Sequence, residues 1–299
     1  MWEAIQDEAR KQGMPTAGHV TNEVGLDRAM AAKQQIEHLD GVFMQLLAPG
    51  SPESAMNFAQ IPPPPVILAA ARATDAQLAA LARKVAAAGS YHVPTLALFE
   101  RLADMAIPVE QLMQGPDMRF MPKAALDQWA AQRAGLQKAG FTAEQGLPFR
   151  NIRRRIVRAF HAAGVPLMAG SDTAQSFHIW APGLIMEVEA LHAAGLSRME
   201  ALRSATIVPR NYFRSLPNGG SSLGRRADFG TVEKGARADL ILLKADPSQD
   251  LAALRSLQAV ITGGKVHERA ALDALLDKAA ADANPPQAPG GAAATPTGR

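Results

Sequence analysis

Residues 165–172 read VPLMAGSD, an apolar run of strand length that ends in small residues and one aspartate. A short apolar stretch that follows a helical pattern closed by glycine, here Gly164, reads as a buried strand of a parallel sheet. Two upstream stretches repeat the design: MPTAGHV at 14–20 carries His19 near its end, and QQIEHL at 34–39 carries His38. YHVPTLAL at 91–98 reads as a further strand. Strands running the same way would deliver His19, His38 and Asp172 to one shared mouth. Imidazole and carboxylate are the ligand types that a zinc-like ion takes.

Helical patterns separate these runs. Residues 2–12 end at Gly13, residues 26–33 are alanine-rich, and residues 74–88 carry a capping signal in Thr74 and Gln77 with Gly89 as the stop. Residues 152–163, 182–194 and 198–205 continue the series. Alternating strand and helix specifies an α/β parallel sheet with right-handed crossovers. The proline run IPPPP at 61–65 marks a loop. Residues 100–150, broken by Pro108, Pro116, Pro122 and Pro148, are too long for an ordinary connection and read as an excursion over the site.

After about residue 224 the pattern changes to short strands, FGTVEKGARADLILL and then LQAVITGGKVHE, the latter a hairpin around Gly263 and Gly264. This divides the chain into a portion at 1–223, a small β portion at 224–270, and an end at 271–299. That end begins helical and turns into an Ala, Pro and Gly tail expected to be disordered from residue 279.

The chain has 299 residues, 47% hydrophobic and 20% charged, enough for a real core in a soluble globular protein. Its 31 basic and 28 acidic residues are dispersed, and a net charge of +3 argues against a nucleic-acid partner. The one dense basic run, NIRRRIVRAF at 151–160, reads as a solvated flank beside Ile152, Ile156, Val157 and Phe160. With 0 cysteines, any transition metal must be held by His, Asp, Glu or a modified Lys. No stretch has the length and apolarity of a membrane span, no signal-peptide pattern is seen at the amino terminus, and the compartment is left open.

The motifs GHV at 18–20, IEHL at 36–39, VPTL at 93–96 and AGSD at 169–172 resemble the amidohydrolase superfamily, most closely its imidazolonepropionase-like and dipeptidase-like branch. PGLIMEVEALHAAGLSRMEALRSAT at 182–206 and GTVEKGARADLILL with VITGGKV extend the resemblance over residues 1–270. The resemblance implies a (β/α)8 TIM-like barrel joined to a small β-sandwich, with one or two divalent ions at the carboxyl ends of the strands. It implies His19, His38 and Asp172 as ligands from the fifth, sixth and eighth strands. Asp172 would also take a proton from the attacking water and pass it to the leaving amine. A divalent ion, zinc by preference, brings the pKa of a coordinated water toward about 7 and polarises the scissile carbonyl.

The chain departs from that family in having no His-x-His pair. The expectation is therefore a partial barrel holding strands five to eight with the carboxyl-terminal part of the sandwich. The expected function is a metal-dependent amidohydrolase; the alternative is a truncated, catalytically incomplete remnant that needs an amino-terminal half for activity. Exposed sheet edges predict association, with a second copy or a complementing amino-terminal half as the partner. The expected reaction is hydrolysis of a small amide, cyclic amide or peptide-like C–N bond. His178 and Thr95 are the candidates for substrate contact, with Arg119, Trp129 and Arg133 from the excursion. Glu37 is read as structural or as supporting its neighbour, and His161, His192 and His267 as not ligating.

Overall fold

β1 (Ala17–Gly18), β2 (Gln35–Glu37) and β3 (His92–Val93) pair side by side, all parallel, in chain order. A parallel bridge from His92 to Leu167 adds the VPLMAGSD segment as the next neighbour. The computed structural model describes residues 1–58, 61–216 and 227–285, and in it the four stretches read as strands lie in their expected sequence. The result is a mixed α/β architecture with small sheets.

The strands are shorter than the sequence suggests because left-handed residues stop them. His38 (φ 57°) and Thr95 (φ 53°) turn the chain out of extended geometry just after β2 and β3, while the VPLMAGSD segment pairs only at Leu167, with Asp172 (φ 47°) left-handed five residues on. YHVPTLAL is therefore only partly strand: Pro94 cannot donate to a ladder, and Thr95 redirects the chain into the helix Leu96–Ala103. The IPPPP run likewise leads into a helix, Pro64–Ala71, whose first turn tolerates proline because its N–H groups have no intrahelical partner.

Helices cover one side of this sheet. The helix Asp75–Ala88 starts at Thr74 with a capping box to Gln77 and stops at Gly89, as expected. The helix Ala143–Ala162 runs nine residues further upstream than the sequence indicated and accommodates Pro148. It buries Phe149, Ile152, Ile156, Val157 and Phe160 against the helices Pro64–Ala71, Asp75–Ala88 and Leu96–Ala103. Each such side chain contributes roughly 1.5–3 kcal/mol of burial.

The arginine run on this helix is not a solvated flank. Arg153 is 1% exposed, Arg154 pairs with Glu100, and Arg155 reaches the carbonyls of Ala71 and Ala73. Burial of Arg153 is compatible with its charge because backbone carbonyls and two aromatic faces receive the guanidinium.

A second sheet holds β4 (Leu240–Leu243), β5 (Leu257–Thr262) and β6 (Lys265–Glu268), all antiparallel. Gly263 and Gly264 form the expected hairpin turn with φ of 56° and 75°, values that a side chain would resist. Only the end of FGTVEKGARADLILL is strand. The helix Arg269–Ala283 continues through residues expected to be disordered; residues 286–299 and the 223/224 boundary lie outside the described residues. Among the described residues no helix is long and apolar enough to cross a membrane.

Candidate functional site

His38 closes β2 and is 5% exposed, its ring set edge-on to Phe99. Its Nδ1 lies 2.5 Å from Thr95 Oγ1, and that hydroxyl donates to the Val93 carbonyl at 3.3 Å. A hydroxyl has one proton to give, so Thr95 accepts from His38 Nδ1–H. The tautomer follows: Nε2 carries the lone pair, facing Asp172 Oδ2 at 3.6 Å. Burial pushes the His38 pKa down to about 3, with His19 and Arg153 adding to the effect, so the ring is neutral at physiological pH.

His19 follows β1 on the exposed side of the same mouth. Its Nδ1 is 2.8 Å from Asp40 Oδ2, which also accepts the Val20 N–H at 3.2 Å. The two imidazole rings lie 4.8 Å apart between centroids, tilted by 33°. Asp40 is buried, which raises its pKa, while His19 and the Val20 N–H draw it back toward the ionised form. Asp172 is held by Gln175, whose Nε2 donates to Oδ2 at 2.8 Å.

Arg153 ties the strand ends together from beneath. Its guanidinium donates to the His38 carbonyl at 3.1 Å and the Pro94 carbonyl at 2.6 Å, and stacks 4.0 Å over Phe99. Glu187, fully buried, accepts the Ala97 N–H at 2.7 Å at the start of the helix that follows Thr95. Burial pushes the Glu187 pKa up to about 7 against the opposing pull of the backbone amides and Arg153. Glu37, raised by burial, feels the fields of Asp172, His19 and Asp40.

The loop after Asp172 is strained. Gln175 and His178 exchange backbone hydrogen bonds across a two-residue turn in which Ser176 (φ 51°) and Phe177 (φ 60°) both occupy left-handed space without being glycine. Beside it lies a cavity of about 410 Å³, lined by Asp172, Phe99, Phe177, Trp129, Arg101 and Arg133 among others.

The structure thus brings His19, His38 and Asp172 to one place, with Trp129 and Arg133 at the neighbouring cavity. Thr95 is fully buried behind His38. His178 is 1% exposed and its ring nitrogens meet no partner among the described residues; burial first, then Arg101, takes its pKa down to about 4. Arg119 is elsewhere, over Phe120. Among the described residues no group of three or more His, Cys, Asp or Glu side chains converges closely enough to hold an ion by itself. Asp40, Arg153, Glu187 and Arg101 were not singled out by the sequence. Asp40 leaves a trace there, as the lone acid between the apolar residues of HLDGVF.

A model of the amidohydrolase family matches residues 1–267. No curated protein matches the chain. Among solved structures, bottromycin amidohydrolase is similar at 21% identity and a TM-score of 0.63, covering 95% of this chain and 56% of its own. A Xaa-Pro dipeptidase and a further amidohydrolase are each 20% identical, with TM-scores of 0.50 and 0.52, covering 89% of this chain and 47% of theirs. The chain spans about half the length of these structures, and likeness at this identity speaks for the fold.

Proposed function

The chain belongs to the amidohydrolase family, and from that premise we propose that it hydrolyses an amide or peptide-like C–N bond at the mouth shared by His19, His38 and Asp172. The observation that carries this reading is the paired anchoring of the two imidazoles, His38 through Thr95 and His19 through Asp40, beside a carboxylate.

The family is generally metal-dependent, and the donor set fits a divalent ion in kind. Engaging Nδ1 of a histidine with a carboxylate or hydroxyl makes Nε2 the ligating nitrogen and fixes the ring's direction. His19 and His38 would hold the ion, with Asp172 as the oxygen donor beside them; two imidazoles and a carboxylate favour zinc. When bound, such an ion supplies Lewis-acid polarisation of the amide carbonyl and makes water a competent nucleophile near neutral pH. His38 is already neutral, so no proton has to leave it for ligation. Asp172, exposed and held by Gln175, would accept the proton of the attacking water and return it to the leaving nitrogen. In this reading the parallel strands β1, β2 and β3 belong to one arc of a TIM-like barrel wall, a fold whose strand ends gather catalytic groups.

The lack of a three-donor group among the described residues favours a second reading, a partial site completed by donors from another polypeptide. Replacing Asp172 by Asn tests the first. Hydrolysis of a small amide panel is expected to fall at least about 100-fold with an unchanged thermal midpoint, and full retained activity would overturn it.

A further inference from the structure

Arg101 sits on the helix Leu96–Ala103 in the wall of the cavity beside Asp172. It makes no hydrogen bond or ion pair among the described residues, unlike the neighbouring Arg133, whose guanidinium is taken up by the carbonyls of Asp104 and Ile107. Burial lowers the Arg101 pKa, and Asp104 opposes this through space without forming an ion pair. A half-buried guanidinium with no hydrogen-bonded partner is costly, and an anion delivered by a ligand supplies one.

Gln132, Arg133, Gln175 and Ser176 share this wall with an apolar set. Leu98, Leu102, Met105, Trp129 and Phe177 are the apolar side chains lining a volume of about 410 Å³, the scale of a small-molecule site. Asp172 lies at the same cavity, so a ligand carboxylate is repelled from that side and drawn to Arg101. We propose that this cavity is the specificity pocket for an amide substrate carrying a large apolar group and a carboxylate, with Arg101 binding the carboxylate. Trp129 and Phe177, packed edge to face with centroids 5.6 Å apart, receive the apolar group. The excursion read from the sequence as crossing the site thus supplies one wall of the pocket through Trp129. The assignment rests on the hydrolase reading above for the identity of the bond cleaved, but binding itself is independent of turnover.

The test therefore measures binding with two ligands that contain no amide. The full chain is titrated calorimetrically with 4-phenylbutanoate and with its neutral counterpart 4-phenylbutan-1-ol. The acid is expected to bind at least about tenfold tighter. That preference disappears in Arg101→Gln and is largely kept in Arg101→Lys, while Leu102→Trp, which fills the cavity, weakens both ligands alike. Equal affinity for the two ligands, binding of neither, or an acid preference that survives in Arg101→Gln overturns the proposal. Retained hydrolysis in Asp172→Asn would instead strike the hydrolase reading and leave this result in place.

Discussion

Thr95 Oγ1 stands 2.5 Å from His38 Nδ1 and commits its own proton to Val93, so one buried hydroxyl sets the tautomer of the imidazole at the site. Thr95→Val keeps the shape and removes the acceptor. The stranded Nδ1–H costs about 1–3 kcal/mol in stability, and metal affinity is expected to fall roughly 10–100-fold. Asp40→Asn keeps an oxygen acceptor but removes the carboxylate charge behind His19, and is expected to lower metal affinity in the same direction. Zinc titration against a competing chelator measures both, and unchanged affinity in both would contradict the anchoring.

Arg153 braces the ends of β2 and β3 through the carbonyls of His38 and Pro94. Arg153→Met leaves both carbonyls unpaired and Glu187 without its nearby cation, and is expected to cost about 3 kcal/mol or more in urea denaturation. Arg153→Lys is expected to fall between, since an ammonium keeps the charge but cannot span both acceptors as a planar fork. A methionine variant as stable as the parent would show that the brace is dispensable.

Stability should decline in mild acid. His38, His92 and His178 are pushed down to about 3, 3 and 4 from 6.5, so below pH 6.5 the unfolded chain binds more protons than the folded one. Each group then removes up to roughly 1.4 kcal/mol per pH unit as pH falls. Glu187, raised to about 7, acts with the opposite sign: its contribution is present below 4.5 and lost as pH rises through 7. Glu37 and Asp40, also raised by burial, share the sign of Glu187 toward the acid end, so the positive slope of the three histidines is expected in the upper part of the range, at about pH 5.5 to 6.5. His92→Gln, outside the proposed donor set, is expected to remove about one proton from that slope in urea titrations across this range. An unaltered slope would show that His92 is not among the titrating groups.

How far these features could be read from sequence depends on their range. The strand order and the mouth were legible because apolar runs ending in His19, His38 and Asp172 are local patterns, as was the Thr74 capping box. Strand lengths were not, since hydropathy carries no sign of the left-handed turns at His38 and Thr95. Arg153 misled for a similar reason. An arginine reads as solvent-facing until the fold brings the carbonyls of His38 and Pro94, 115 and 59 residues away, around it. The role of Thr95 as an anchor depends equally on a contact across 57 residues.

The central claim is that the two anchored imidazoles hold an ion, and the metal content of the purified, dialysed chain tests it most directly. Plasma mass spectrometry is expected to find near-stoichiometric zinc or a neighbouring divalent metal, lost in the double variant His19→Ala/His38→Ala. Absence of metal from the parent chain, or equal metal in the variant, would contradict it.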